Sequence, residues 1–123
     1  MLTPIAYGLA IVVVALVLLI GLRFLLAPRP AAAGYGVPAK VDGDSAYLTI
    51  KGLRDLTLGI LGAALLAFAG AHAAGWYMLV GAIIPLGDTL IVLRHGGAKA
   101  VAFGVHFATA VLLLISAALL FAA

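Results

Sequence analysis

The sequence TPIAYGLAIVVVALVLLIGLRFLLA at residues 3–27 decides the fold class. Its only charged residue is Arg23, and a membrane-spanning helix needs roughly 20 predominantly apolar residues. The whole chain has the same character, since 67% of its 123 residues are hydrophobic and 9% are charged, with a mean hydropathy of +1.33. Soluble domains carry about 25% charged residues. The composition therefore excludes a soluble domain and predicts an integral membrane protein.

The rest of the chain contains three further apolar stretches of comparable length. We predict four transmembrane helices, over residues 3–27, 47–70, 75–93 and 99–121. The fold class is therefore all-α, a four-helix transmembrane bundle that forms a single domain over residues 1–123. We expect the first helix to be retained and not cleaved as a signal peptide. Its start has no positive charge, and its apolar run exceeds the about 15 residues of a signal peptide.

The seven Lys and Arg residues predict the orientation. They all lie in or beside the first and third connections, at Arg23, Arg29, Lys40, Lys51, Arg54, Arg94 and Lys99. The two termini and the second connection have no Lys or Arg. Because cytoplasmic loops carry the excess of these residues, we predict a multi-pass protein of the cell membrane. Both termini are placed on the non-cytoplasmic side, and loops 28–46 and 94–99 are placed in the cytoplasm.

The first connection, residues 28–46, is far longer than two neighbouring antiparallel helices require. The other two, residues 71–74 and 95–98, predict tight turns. The long connection contains three Pro and three Gly residues, so we do not expect it to be helical throughout. Loops beyond about 12–15 residues are usually functional or disordered. Two interpretations follow: a cap over the inner mouth of the bundle, or an interfacial linker.

Two features predict how the helices pack. Pro85 has no N–H to bond the Gly81 carbonyl, so it predicts a kink in the third helix one turn before Asp88. Small residues four apart, such as Gly59 and Ala63, let helix backbones approach closely. A four-helix bundle already needs such contacts internally. A homo-oligomer is therefore compatible with the sequence but is not implied by it.

Ionisable side chains inside the predicted helices form the candidate site. At a rise of about 1.5 Å per residue, Asp55, Asp88 and His106 lie roughly 9–12 Å from the same end of the bundle. Ionisable groups within spans are costly and mark functional sites by default. The candidate polar site consists of these three residues and the nearby cations. Its members are Arg54, Asp55, Asp88, His106, Lys51 and Arg23.

Helix geometry predicts which of these groups pair. Lys51 and Asp55 are four residues apart and can meet on one helix face. Arg54 and Asp55 are adjacent and point about 100° apart, so they cannot face each other. Arg54 then requires a carboxylate from another helix. We predict an ion pair between Arg54 and Asp88, with His106 nearby.

Several kinds of chemistry have no support in the sequence. The chain has no Cys, which excludes disulfides and thiolate sites. It has no Walker, HExxH, GxSxG or dinucleotide-binding motif, and no basic patch interleaved with aromatic residues that would indicate nucleic-acid binding. The spacing of Asp55, Asp88 and His106 matches no local metal motif. We expect no metal, no cofactor and no nucleic-acid partner; the partners are the lipid bilayer and, in one interpretation, a lipophilic ligand.

The motif GYGVP at residues 34–38, followed by KGLRD at residues 51–55 and by Gly59, resembles a known family. The resemblance is to small four-helix integral membrane proteins of bacteria and fungi catalogued as a domain of unknown function. It extends over nearly the whole chain and includes Asp88. It implies a four-helix membrane protein and supplies no activity. The chain differs from small multidrug-resistance transporters, whose first helix has an essential Glu, because it contains no Glu.

Three functions are compatible with this polar layer. The first is a protein that binds, or as an enzyme acts on, a lipophilic molecule whose head group lies in the layer. The second is a structural or assembly subunit in which the layer only locks the bundle. The third, a small proton-coupled transporter that titrates Asp55 or Asp88, is the least favoured because the layer lies off-centre. A cavity that ends at the layer favours the first function, and an internally paired layer without a cavity favours the second.

Overall fold

Four helical spans and one short helix form the part of the chain that the computed structural model describes, residues 2–40 and 43–123. The helices are, in order, α1 (Leu2–Leu26), α2 (Pro28–Tyr35), α3 (Ser45–Ala64), α4 (Gly70–Gly81), α5 (Ile83–Arg94), α6 (Lys99–Val101) and α7 (Ala108–Ala122). Two π-helical turns extend them: Leu65–Ala69 continues α3, and Ala102–Phe107 joins α6 to α7. These ranges contain no strand.

The chain reverses direction at Gly70. Three helical stretches are long and apolar enough to cross a membrane: Leu2–Leu26, Ser45–Arg94 and Lys99–Ala122. Gly70 divides the second of them, because its φ of +88° is a conformation that Gly adopts without steric cost. Beyond it α4 packs back on the π-helical turn Leu65–Ala69 and on α7, and the Tyr77 hydroxyl donates to the Leu58 carbonyl at 2.6 Å. The four-helix bundle is therefore confirmed, with its second reversal at Gly70 and with residues 71–74 already helical.

Small residues bring the first two spans into backbone contact. A Cβ atom added to Gly52 on α3 would lie 2.8 Å from the Leu25 backbone nitrogen and 2.9 Å from the Gly21 carbonyl oxygen on α1. A Cβ atom at Gly59 would lie 2.6 Å from the Leu18 side chain. The pair α1–α3 is the most extensive helix contact of the described chain. Its small residues serve packing within the bundle.

An apolar core fills the half of the bundle near the Gly70 turn. Its buried residues come from the first, third and fourth spans, and they are Ala6, Ala10, Val13, Val14, Ala74, Met78, Ala82, Leu113, Ala117 and Leu120. The other end of the bundle, which we call the basic end, is formed by the connection from α1 to α3 and by residues 95–98. Ionisable residues within the spans are concentrated towards that end.

The first connection contains a helix and does not form an open loop. Helix α2 has Pro28 at its first position, where the missing N–H costs nothing, and a run of Ala residues follows. Gly36 ends α2 with a φ of +98°. Ala31 and Ala32 are buried against Phe24, so α2 packs across the basic end as a cap. The predicted loop 28–46 is thus helical up to residue 35, and its residues 41 and 42 lie outside the described residues.

The third span is divided at Ala82, between α4 and α5, as the position of Pro85 predicts. Below the break, α5 packs mainly on the π-helical turn Ala102–Phe107 and makes few contacts with α3. The second and third spans are therefore apart in the half of the bundle near the basic end.

The Gly52 contact predicts a stability effect. Replacing Gly52 by Ala places a methyl group against the backbone of α1, which cannot move as a side chain could, and overpacking of this kind costs about 1–3 kcal/mol. Gly8→Ala is the matched control, because a Cβ atom there meets nothing within 4 Å. Unfolding in mixed micelles by titration with dodecyl sulfate measures both variants. Equal stability of the two would contradict the close packing of α1 on α3.

Candidate functional site

A cavity of about 240 Å³ lies between the spans in the half of the bundle near the basic end. Its wall is mostly apolar, formed by Val17, Ile20, Phe24, Ala31, Gly34, Leu58, Gly81, Ile84, Pro85, Val105 and Leu113. Its polar residues are Arg23, Tyr35, Asp55, Tyr77, Asp88, His106 and Thr109. The four spans and α2 all contribute, so the cavity is a product of the complete bundle.

Two irregularities of the backbone shape this cavity. The break before Pro85 lies on its wall, and the Thr89 hydroxyl donates to the Pro85 carbonyl at 2.8 Å. Opposite α5, the π-helical turn Ala102–Phe107 positions His106 on the wall. Single π-helical turns inside α-helices are frequent at functional sites. Both irregularities fall beside the ionisable residues, whereas the other π-helical turn, Leu65–Ala69, lies at the opposite end of the bundle, before Gly70.

Tyr35, the last residue of α2, is the centre of the polar part. Its hydroxyl donates to Oδ2 of Asp88, and its backbone carbonyl accepts a hydrogen bond from Nε2 of His106 at 2.6 Å. Its ring packs edge-on against Phe24, with the centroids 5.5 Å apart, and against the His106 ring at 4.1 Å. One residue of the first connection thus links α2 to the first, third and fourth spans.

The Tyr35 hydroxyl is held in its neutral form. Burial raises the pKa of this hydroxyl well above its ordinary value, and the neighbouring Asp88 carboxylate raises it further. The group therefore keeps its proton and acts as a hydrogen-bond donor to Asp88 throughout the physiological pH range.

Asp88 and His106 face each other across the third and fourth spans. The His106 side chain is 3% exposed, and its Nδ1 lies 3.9 Å from Oδ2 of Asp88. The prediction that His106 lies near Asp88 is confirmed by this distance.

Lys51 and Asp55 form the predicted ion pair, with Nζ 2.5 Å from Oδ2. The same Nζ lies 4.2 Å from the ring centroid of Phe24 and 4.3 Å from that of Tyr35. A cation over aromatic faces gains further electrostatic attraction. The charge of Asp55, which lines the cavity, is thus balanced by a cation held in a fixed position.

The predicted ion pair between Arg54 and Asp88 is wrong. Among the described residues, Asp88 has only His106 within 4.0 Å as an ionic partner, and Arg54 is exposed away from the cavity. Tyr35 takes the place that the prediction gave to Arg54. A long Arg side chain can keep its charged head in water while its stem covers apolar surface. Arg23 is also exposed, and it lies on the cavity wall.

A second cavity of about 150 Å³ adjoins the first towards the basic end. Phe24, Tyr35 and Asp88 line both cavities, and Lys51 lines the second. The Tyr35 side chain and its hydrogen-bond partner therefore form a common wall. Within the described residues no group of three His, Asp or Glu side chains is arranged to hold a metal ion.

Residues 14–120 match the sequence model of the family described as Domain of unknown function (DUF4267). The chain belongs to this family. The match runs from the middle of α1 into α7 and includes every residue of the candidate polar site. The family resemblance inferred from GYGVP and KGLRD is thereby confirmed. No curated protein and no solved structure matches the chain.

Within this DUF4267 domain, Tyr35 is a member of the candidate site that the sequence did not predict. Its position in a long connection favoured an interfacial aromatic residue and not a partner for Asp88. One signal was available, because Tyr35 is flanked by Gly34 and Gly36 within the GYGVP motif. Small neighbours leave the backbone free to end a helix there and to direct one large side chain inward.

The contact between Tyr35 and Asp88 predicts the effect of removing one hydroxyl. Tyr35→Phe keeps the ring packing but leaves the partly buried Asp88 carboxylate without its donor, and loss of a hydrogen bond to a charged group costs about 1–3 kcal/mol of unfolding free energy. Tyr47→Phe is the matched control, because Tyr47 is 76% exposed. Unfolding of both variants in mixed micelles measures the difference. If Tyr35→Phe were as stable as the unmodified chain, the hydrogen bond would not fix α2.

Proposed function

We propose that this protein binds a lipophilic small molecule within the membrane. The observation that carries the proposal is the cavity of about 240 Å³, whose apolar wall ends at Tyr35, Asp88 and His106. A polar layer that only locks helices together requires no such space. An apolar wall with a few convergent polar groups is the usual composition of a small-molecule site.

The cavity is accessible at its side. Ile84 on α5 and Val105 on the π-helical turn both line it, and they are 47% and 45% exposed. Because both residues lie within spans, we infer that the cavity opens between them towards the lipid chains. The volume is below the about 300–1,000 Å³ of sites for drug-sized ligands. We infer a ligand with one slender apolar part that extends past Ile84 and Val105.

The polar part of the site supplies the selectivity. An alkyl chain gains little by leaving lipid for this cavity, because lipid tails are as apolar as the cavity wall. Hydrogen bonds and charges are stronger in these low-dielectric surroundings than in water. The head group of the ligand, placed beside Asp88 and His106, therefore provides most of the discrimination between ligands.

A structural role is the second candidate, and the Lys51–Asp55 pair favours it. That pair is satisfied within the bundle at 2.5 Å and is packed between Phe24 and Tyr35. It stabilises α2 against α3 without any ligand. Lys51 can stabilise the bundle in a protein that also binds a ligand. A purely structural layer, however, does not account for the open cavity beside Asp88.

We propose that the basic end faces the cytoplasm. The structure keeps Arg29, Lys40, Arg94 and Lys99 in or beside the connections at that end. The excess of Lys and Arg on the cytoplasmic side supports this orientation in the cell membrane. The ligand would then enter from the lipid region of the cytoplasmic half, with both termini on the other side.

Filling the cavity tests the binding function. The probes are four ten-carbon chains, each with a diazirine at its tail and with a primary amine, a trimethylammonium, a hydroxyl or a carboxylate as head. In phosphatidylcholine nanodiscs, we expect at least one probe to cross-link to peptides of the cavity wall, as mapped by mass spectrometry. Ile84→Trp should reduce this labelling at least tenfold by occupying the opening.

Ile83→Trp is the matched control for this experiment. Ile83 adjoins Ile84, is 67% exposed and does not line the cavity, so labelling should persist. The binding function would be contradicted if no probe labelled the cavity wall, or if both Trp variants were labelled as strongly as the unmodified chain.

Labelling of single Cys residues tests the orientation. The chain has no Cys, so Ala98→Cys at the basic end and Ala123→Cys at the C-terminus each introduce one thiol in an exposed position. A membrane-impermeant maleimide applied to intact cells should label residue 123 and should label residue 98 only after lysis. The reverse pattern would overturn the orientation.

A further inference from the structure

The hydrogen bond to the Tyr35 carbonyl fixes the proton on His106. A carbonyl oxygen can only accept, so Nε2 of His106, 2.6 Å away, carries the hydrogen. In a neutral imidazole the other nitrogen, Nδ1, then has a lone pair and no hydrogen. In the neutral form Nδ1 is therefore an acceptor, and it is the nitrogen that faces Asp88.

The facing atom of Asp88 is also an acceptor. Its Oδ2 lies 3.9 Å from Nδ1 of His106 and already accepts from the Tyr35 hydroxyl. This distance is longer than a hydrogen bond, and no hydrogen of either residue lies between the two atoms. Two acceptors that face each other in this way are complementary to a group that donates two hydrogen bonds.

The separation of the two acceptors selects the donor. An atom placed about 2.8 Å from both would see them at an angle of roughly 90°. The N–H bonds of a primary ammonium diverge at a comparable, tetrahedral angle. A hydroxyl has one hydrogen and can satisfy only one of the two acceptors, and a quaternary ammonium has none.

The charge of the site favours a cation. Among the described residues no Lys or Arg side chain lies within 4.0 Å of Asp88, while the nearby Lys51 is paired with Asp55. Arg23 lies on the cavity wall with an exposed side chain and makes no ion pair with Asp88. A carboxylate inside a membrane protein is costly without a compensating charge, and a cationic head group supplies that charge.

We infer that the ligand is a lipophilic primary amine, bound as its ammonium between Asp88 and His106 with its alkyl part in the cavity. This inference rests on the proposed binding function and specifies its ligand class. Asp88 provides the charge and one acceptor, and His106 provides the second acceptor. Tyr35 orients both, through its hydroxyl on one side and its carbonyl on the other.

Competition among ten-carbon compounds tests the inference. Decylamine, decyltrimethylammonium, 1-decanol and decanoate compete with the diazirine amine probe in nanodiscs of zwitterionic lipid, which removes attraction to an anionic surface. We expect decylamine to compete at least tenfold better than each of the others. Decyltrimethylammonium has the positive charge but no N–H donor, and 1-decanol has one O–H donor but no charge. Together the two compounds separate the effect of charge from that of hydrogen-bond donation.

Asp88→Asn is the decisive variant. The amide oxygen can still accept from the Tyr35 hydroxyl, as Oδ2 of Asp88 does, but the site has lost the negative charge that an ammonium requires. We expect the preference for decylamine over 1-decanol to fall at least tenfold. Asp44→Asn is the matched control, because it makes the same chemical change outside the cavity, and there the preference should persist.

Each outcome separates this inference from the proposed function. Labelling of the cavity by the hydroxyl or carboxylate probe, with no preference for the amine, would overturn the ammonium assignment and leave the binding function standing. An unchanged amine preference in Asp88→Asn would also overturn it. Nitrogen NMR of His106 provides an independent check, since two protonated ring nitrogens in the ligand-free protein would mean that Asp88 already has its cation.

Discussion

The hydrogen bonds of Tyr35 are the interaction on which the structure at the basic end depends. Within lipid, polar groups need partners inside the protein, and the Asp88 and His106 side chains, 3.9 Å apart, are not hydrogen-bonded to each other. Tyr35 binds both, through its hydroxyl and through its backbone carbonyl. The position of α2, the orientation of the His106 ring and the wall of the cavity all follow from this one residue.

Tyr35 also lies between the Lys51–Asp55 ion pair and the Asp88 carboxylate, which otherwise have no residue in common. The Tyr35 ring lies beside the Lys51 ammonium, which is paired with Asp55 on α3, while its hydroxyl reaches Asp88 on α5. Tyr35 therefore contacts both the Lys51 ammonium and the Asp88 carboxylate. This arrangement explains why polar groups from the first connection and all four spans are concentrated in one layer, although they are distant in sequence.

The two halves of the bundle differ in what lies between their helices. The half near Gly70 has an apolar core, and the tight contact of α1 with α3 continues through Gly52. The half near the basic end contains the break before Pro85 and the π-helical turn Ala102–Phe107. Irregular backbone at membrane depth is tolerated where it is buried in protein or lines a cavity, and here it lines the cavity.

The sequence predicted those features that depend on one helix at a time. The apolar lengths predicted the four spans, the four-residue spacing predicted the Lys51–Asp55 pair, and the missing N–H of Pro85 predicted the divided third span. Helix depth also placed Asp88 near His106.

Features that depend on contacts between distant segments were not predictable from the sequence alone. Tyr35 and Asp88 are 53 residues apart and are joined by a connection whose path no periodicity specifies. The depth of Arg54 in the bundle and its face of the helix were therefore compatible with a pair to Asp88. In the structure the neutral Tyr35 hydroxyl donates to Asp88 instead. The turn was predicted at residues 71–74 and lies at Gly70 for a related reason, because hydropathy does not mark where an apolar chain turns.

The shared wall between the two cavities has a consequence for kinetics. Asp88 borders both, so a molecule held there is separated from the second cavity by the Tyr35 side chain. Rotation of this one side chain about its Cα–Cβ bond would join the two spaces, and it would require the hydroxyl to leave Asp88 first. The strength of that hydrogen bond would then limit exchange of an occupant between the two spaces, independently of how tightly the site holds it.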